Sequence, residues 1–237
     1  MRPKSKRFKE VVKLAEKSKA YPLPEAVKIL KQLPNRKFDE SLELHFQLGI
    51  KPDQSGEMVR GSATLPFGSG KKVRILCFCK GEGVKEAEAA VAEFVGAEDL
   101  IAKVQGGWMD FDSVIAHPDM MREVSKLGKV LGPKGLMPTP KSGTVTTNLP
   151  KAIKEIKAGR VDFKSDKTGG LHVGCGKLSF DENALVGNAS SVINAVYQAK
   201  PQGAKPDYLK RVFVSSTQGP GIQLQVSQFA ASKEESD

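Results

Sequence analysis

The sequence predicts a two-domain protein in which an α/β domain is inserted into an α+β domain. Near both ends of the chain, stretches such as SLELHFQL alternate apolar and polar residues, which is typical of half-buried strands. The centre instead contains a continuous apolar run, VRILCFC, followed by helical patterns. The 237 residues suffice for two cores. We expect residues 1–67 and 160–237 to form one domain and residues 68–159 to form the other.

The first predicted domain begins with two amphipathic helices, over 8–15 and 24–33, and two strands, over 41–48 and 59–65. Apolar residues recur every three or four positions in the helices and every second position in the strands. Because the first strand alternates, one face of its sheet is expected to be polar, and that face is a candidate binding surface.

The middle domain follows a proline- and glycine-rich hinge, PFGSGKK. Its predicted elements are strands over 73–79, 100–104 and 113–116 and helices over 84–95, 120–127 and 149–158. This βαβ order predicts parallel strands with helices on both faces. Trp108 is expected to anchor this domain.

Alternating strands return after Arg160, on either side of a turn at Lys167–Gly170. Asp181 is a suitable N-cap for a long helix, and two strands over 210–216 and 222–226 are expected to form a hairpin. The charged C-terminal tail, SKEESD, is expected to be disordered.

The segment from Gly128 to Val145 combines three prolines with lysines and glycines. That composition predicts a stiff cationic loop without regular helix or strand. Two interpretations remain: a surface presented to a partner, or a structured turn with solvated lysines.

The positive charge is concentrated at the N-terminus. Residues 1–37 hold 12 basic and 3 acidic residues, a net +9, out of +10 for the whole chain. Such clustering favours a polyanionic partner. No run approaches the roughly 20 apolar residues of a membrane span, and no signal peptide is apparent, so we expect a soluble cytosolic protein.

Metal sites and catalytic motifs are poorly supported. We expect the three cysteines, Cys77, Cys79 and Cys175, to be buried reduced thiols. The alternative is a metal site in which His172 and Cys175 complete the pair Cys77 and Cys79. Gly70 and Lys71 resemble the end of a phosphate loop, but Leu65 stands where that loop needs its first glycine. Glu86 replaces the third glycine of a dinucleotide motif. The three histidines lack hydrolase or metalloprotease settings.

Five stretches along nearly the whole chain carry a family resemblance: KFDESLELH, GWMDFDSVIAHPDMM, LGKVLGPKGLMPTPKSGTV, IKAGRVDFKSDKTGGLH and VFVSSTQGPG. Together they closely resemble the bacterial ribosomal protein L1 family, the stalk protein of the large subunit. The resemblance implies a discontinuous split βαβ (ferredoxin-like) domain with an inserted Rossmann-like three-layer αβα domain. It also implies a cytoplasmic, ribosome-bound protein without catalytic activity, metal or cofactor.

The first implied partner is large-subunit (23S-type) rRNA at the mobile stalk, near the tRNA exit site. The others are the protein's own operon mRNA, whose translation the protein would repress, and deacylated tRNA on the ribosome. The implied RNA-binding residues are Lys37, Phe38, Ser41, Asp166, Lys167, Thr168, His172, Thr217, Gln218 and Gly219. Lysines attract phosphates, Phe38 offers an apolar or stacking contact, and hydroxyls can bond a ribose 2′-OH. The family usually has threonine at position 41 and methionine at position 218.

Each of these residues also has a purely structural interpretation. Phe38 could fill the core, His172 could be a hydrogen-bonded strand residue, and Thr217–Gly219 could be only a hairpin turn. A nucleotide-binding α/β enzyme and a DNA-binding regulator remain as alternative functions.

Overall fold

The computed structural model describes residues 12, 19–33, 37–50, 58–201 and 207–226. The chain divides into two compact units, one formed by Met1–Gly70 and Gly159–Asp237 and the other by Lys71–Ala158. The predicted N-terminal helix, apart from Val12, and the charged C-terminal tail lie outside the described residues.

Helices and strands are interspersed along the described chain. The first half contains α1 (Leu23–Lys31), β1 (Ser41–Leu48), β2 (Arg60–Thr64), β3 (Ile75–Phe78), α2 (Glu82–Ala89), β4 (Phe94–Gly96), α3 (Glu98–Gln105) and β5 (Ser113–Ala116). The second half contains α4 (Met121–Val124), α5 (Gly128–Leu131), α6 (Leu149–Lys157), β6 (Arg160–Lys164), β7 (Gly170–Lys177), α7 (Glu182–Gln198), β8 (Leu209–Ser216) and β9 (Ile222–Gln223).

The main sheet of the first unit has the strand order β7-β1-β8-β9, and all neighbouring strands are antiparallel. Its inner face buries Leu42, Leu44 and Phe46 in a core shared with α1 and α7. The intervening residues of β1, among them His45 and Gln47, point to the opposite face and are half-buried or exposed. The alternation in the sequence therefore predicted this strand and its polar face correctly.

Strands β6 and β7 flank the predicted turn, but they do not pair with each other. β6 pairs with β2 in a separate two-stranded sheet, whereas β7 pairs with β1. The buried Ser165 links β6 to β2: its backbone nitrogen donates to Val59 O at 2.8 Å, and its hydroxyl accepts from Val59 N at 3.1 Å. These bonds hold the end of β6 beside the start of β2. The predicted C-terminal hairpin of β8 and β9 is confirmed.

The second unit has a parallel sheet in the order β4-β3-β5. Leu76 and Phe78 of β3 contribute to a core with α3, and Ile75 and Cys77 contribute to a core on the other face with α6. Trp108 packs edge-on against Phe94, with ring centroids 4.7 Å apart, and so anchors this unit as expected. The described residues thus form a mixed α/β protein with several sheets.

Two predicted elements of this unit are wrong. The helix expected over 84–95 ends at Ala89. Two residues later Val91 adopts a positive φ of 62°, and the chain then enters β4. The segment 100–104, expected to be a strand, lies within α3. Leu100, Ile101 and Val104 are all buried, and their spacing fits one face of a helix as well as a short apolar strand.

The segment from Gly128 to Val145 departs from prediction at its start. Gly128–Leu131 forms the helical turn α5, because the first proline comes only at position 133 and Gly132 N can donate to Gly128 O at 2.9 Å. The predicted helix over 120–127 is divided into α4 and flanking 3₁₀ turns.

All three cysteines are buried, as expected; Cys77 and Cys175 lie in strands, and Cys79 directly follows β3. Burial raises the pKa of Cys77 and of Cys79, whose sulfur atoms are 4.0 Å apart, and raises the pKa of Cys175 to about 12. Within the described parts of the chain, no three histidine, cysteine or acidic side chains cluster to hold a metal ion. Those parts also contain no helix both long and apolar enough to cross a bilayer.

Candidate functional site

The residues implied in RNA binding lie in the first unit, in two groups along β1. The group at the start of β1 and the end of β8 contains Lys37, Phe38, Ser41, Thr217, Gln218 and Gly219. The other contains Asp166, Lys167 and Thr168 in the turn before β7, and His172 within β7. The turn lies at the far end of β1, since Leu48 N donates to Gly169 O at 2.8 Å. At about 3.4 Å per residue, the two ends of β1 lie roughly 24 Å apart.

Ser41 and Thr217 are joined by a reciprocal pair of hydrogen bonds. Ser41 N donates to Thr217 Oγ1 at 3.0 Å, and Thr217 N donates to Ser41 O at 3.1 Å. The Ser41 hydroxyl accepts from Lys177 Nζ at 3.0 Å. A hydroxyl oxygen has two lone pairs, so the exposed Thr217 hydroxyl retains acceptor capacity for a partner such as a ribose 2′-OH.

A buried carboxylate supports the turn after Thr217. Glu40 is 5% exposed, and its Oε2 accepts a hydrogen bond from Gln218 N at 3.1 Å. Gly219 N closes the turn by donating to Ser216 O at 3.0 Å. A Cβ atom at Gly219 would lie 2.4 Å from Ser216 Oγ, so only glycine fits here without a shift. Sequence reasoning missed Glu40, and its only signal was an acid just before an alternating strand.

Phe38 does not fill the core, because 47% of its surface is exposed. Phe38 and Lys37 line a pocket of about 600 Å³. Leu33, which follows α1, and Ser216 of β8 line the same pocket. An exposed aromatic ring beside an exposed lysine offers stacking and charge to a nucleic acid.

Asp166 organises the turn at the other end of β1. Its Oδ1 accepts hydrogen bonds from Thr168 N at 2.8 Å, Thr168 Oγ1 at 2.8 Å and Gly170 N at 2.7 Å. The bond from the Thr168 hydroxyl, followed by those from the two backbone nitrogens, lowers the pKa of this carboxyl. Gly169 adopts a φ of 78°, and its backbone lies close to Leu48 O. The turn thus presents Lys167 and Thr168 on an exposed, rigid loop.

His172 lies in a strand and is hydrogen-bonded, which agrees with the structural alternative considered for it. Its side chain is nevertheless exposed. Its Nδ1 lies 2.8 Å from His45 Nδ1, and His45 Nε2 lies 2.8 Å from Ser215 Oγ. Burial, and then the neighbouring His172, lower the pKa of His45. Sequence reasoning gave neither His45 nor Ser215 a role, because their alignment across strands is not visible in the sequence.

The second unit places ion pairs where a nucleotide-binding α/β protein would hold phosphate. After β3, Lys80 Nζ bonds Glu98 Oε1 at 2.9 Å and Glu123 Oε1 at 3.2 Å. The carboxyl ends of parallel strands are the usual ligand site of such sheets, and here two carboxylates face that position.

The loop that follows α5 is stiffened by hydroxyl groups. Thr144 Oγ1 accepts from Thr139 N at 2.9 Å, and Ser142 Oγ lies 2.8 Å from Thr139 Oγ1 and 3.0 Å from Thr144 Oγ1. Lys129 and Lys134 are exposed on the segment before these residues. The predicted stiffness therefore has a hydrogen-bonded basis.

Comparison with known sequences decides the family. Residues 30–220 match the ribosomal protein L1p/L10e family. The chain belongs to this family. It is 52% identical over 224 residues to the large ribosomal subunit protein uL1 of Kosmotoga olearia, an alignment that covers 94% of this chain and 97% of that protein. It is 49% identical over 232 residues to the protein of the same name from Protochlamydia amoebophila, with 98% of each chain covered.

Membership of the ribosomal protein L1p/L10e family confirms the resemblance seen in the five sequence stretches. Its members are ribosomal proteins rather than enzymes, which confirms the prediction that the chain is not an enzyme. The alternative of a nucleotide-binding enzyme is therefore wrong.

Proposed function

We propose that this protein is a structural, RNA-binding component of the large ribosomal subunit in the cytoplasm. It binds large-subunit rRNA at the mobile stalk, near the tRNA exit site. In this proposal residues 1–67 and 160–237 form one discontinuous RNA-binding domain of split βαβ type, into which a Rossmann-like domain, residues 68–159, is inserted. The high identity to large-subunit proteins over nearly the full length supports the assignment.

The observation that carries RNA binding is the reciprocal bonding of Ser41 and Thr217 beside the exposed Phe38. It fixes two hydroxyl-bearing residues at the start of β1, which begins three residues after Phe38 in the sequence. Hydroxyls that can meet a 2′-OH distinguish RNA from DNA, whereas the basic N-terminal segment supplies general attraction to phosphates.

The test is a competition experiment with the full-length protein and a labelled fragment of large-subunit rRNA. Unlabelled rRNA fragment should displace the label, whereas duplex DNA of equal length should compete only weakly at moderate salt. Equal competition by the two would contradict specific RNA recognition and favour a DNA-binding regulator.

The same surface would also bind the protein's own operon mRNA and so repress its translation, provided that the message offers a similar RNA shape. Adding the protein to a cell-free translation reaction should then reduce synthesis from its own message, and excess rRNA fragment should restore it. Contact with deacylated tRNA on the ribosome completes the proposed set of partners.

A further inference from the structure

A chain of hydrogen-bonded side chains crosses three strands of the main sheet and ends at His172. Ser215 on β8 bonds His45 on β1, and His45 bonds His172 on β7, both at 2.8 Å. The two imidazole rings are in edge contact, with centroids 5.0 Å apart and an interplanar angle of 61°. His45 is half-buried and His172 is exposed, so this series of hydrogen bonds leads from the sheet to the protein surface.

The geometry restricts where the protons can be. A hydrogen bond between two Nδ1 atoms requires one of them to carry a proton and the other to accept it. If His45 donates, His172 is protonated at Nε2 and presents an outward N–H group, while Ser215 donates to His45 Nε2. If His172 donates, its Nε2 is an outward acceptor when the ring is neutral, and the Ser215 hydroxyl accepts from His45.

An RNA ligand selects between these two arrangements. The negative potential of phosphates favours a proton on the outermost nitrogen, and the RNA backbone is rich in acceptor oxygens. Of the two arrangements with neutral rings, the first satisfies both conditions, and Ser215 can complete it because a serine hydroxyl can rotate to donate.

We propose that Ser215 and His45 are positioning residues that fix the ring and tautomer of His172, so that its Nε2–H donates to an acceptor oxygen of the RNA backbone. This inference rests on the proposed RNA binding and adds two residues to the implied set. Neither residue needs to touch the RNA.

The first test compares two β-branched replacements of nearly the same shape. Ser215→Thr keeps the hydroxyl, and Ser215→Val replaces it with a methyl group. We expect Ser215→Val to weaken binding of the rRNA fragment about three- to tenfold, the usual effect of one lost hydrogen bond, and Ser215→Thr to restore binding to within about twofold of the wild type. Equal affinities for the two variants would overturn the proposal.

The second test reads the tautomer directly. The chain has only three histidines, so ¹⁵N-histidine labelling gives three imidazole pairs, which His45→Gln and His117→Gln assign. On adding rRNA fragment, the His172 signals should become those of a ring protonated at Nε2 with an accepting Nδ1, and Ser215→Val should reduce this change. If the His172 signals with RNA bound are not those of a ring protonated at Nε2 with an accepting Nδ1, this inference is overturned but the proposed function stands. Failure of the wild-type protein to bind RNA would overturn both.

Discussion

The Thr217 hydroxyl accepts a hydrogen bond from the Ser41 backbone nitrogen at 3.0 Å, and the two residues are 176 positions apart in the sequence. The bond fastens the end of β8 to the start of β1. Thr217 therefore has a structural role in addition to its proposed contact with RNA, and an experiment must separate the two.

Replacing Thr217 by valine keeps the shape of the side chain and removes the hydroxyl. We expect rRNA-fragment binding to weaken by about 1–3 kcal/mol, because a 2′-OH partner and the Ser41 nitrogen both lose their acceptor. Thr217→Ser keeps the hydroxyl and should bind nearly as the wild type does. The loss of affinity is then compared with the change in the free energy of unfolding, measured by urea titration. This comparison separates loss of the RNA contact from loss of stability. Unchanged affinity in the valine variant would rule out the assigned role.

Glu40→Ala should loosen the turn that carries Gln218. The change leaves the Gln218 nitrogen without its carboxylate acceptor, and we expect the free energy of unfolding to fall by about 1–3 kcal/mol. RNA affinity should fall as well, since the turn carries implied contacts. Glu40→Gln retains an accepting oxygen and should show a smaller loss in urea titrations. If alanine and glutamine variants behave alike, the hydrogen bond does not organise the turn.

Gly219→Ala should destabilise the protein because its Cβ would lie 2.4 Å from Ser216 Oγ. Overpacking of this kind typically costs about 1–3 kcal/mol. The Ser216 hydroxyl is buried and has no hydrogen-bond partner among the described residues, so Ser216→Ala alone should be nearly neutral. The double variant should therefore recover most of the lost stability in a double-mutant cycle. Strictly additive effects would show that the clash lies elsewhere.

The stability of the Asp166 turn should depend on pH in the acidic range. The Thr168 hydroxyl and two backbone nitrogens hold the pKa of Asp166 below its ordinary value. The group therefore contributes stability that is present above its unfolded pKa, about 3.9, and is lost as pH falls through the lower folded pKa. The Thr168 and Gly170 amide signals should shift with a midpoint below about 3.9 in an NMR titration. Asp166→Asn should abolish this transition; a persistent transition would assign it to another group.

The sequence predicts those features that depend on local spacing. Alternation gives β1 and its polar face, and Asp181 locates the start of α7. The alanine- and glutamate-rich residues before Phe94 and Val95 predict a helix that continues through them, whereas both residues lie in β4. Short apolar runs such as the one around Leu100 fit either period.

The candidate site could be predicted only in part, because its bonds join residues far apart in sequence. Glu40 acts on a residue 178 positions away, and the roles of His45 and Ser215 depend on strand register. The family resemblance supplied the residues implied in RNA binding. The supporting residues behind them became visible only in three dimensions.

The central claim is that the Phe38 end of the main sheet contacts large-subunit rRNA, and crosslinking in cells tests it most directly. A photocrosslinking phenylalanine analogue would replace Phe38 in one strain and Phe67 in another. These rings belong to the same unit and are similarly exposed, at 47% and 56%. We predict that position 38 recovers large-subunit rRNA and that position 67 recovers little. Equal recovery from both positions, or none from position 38, would contradict the account.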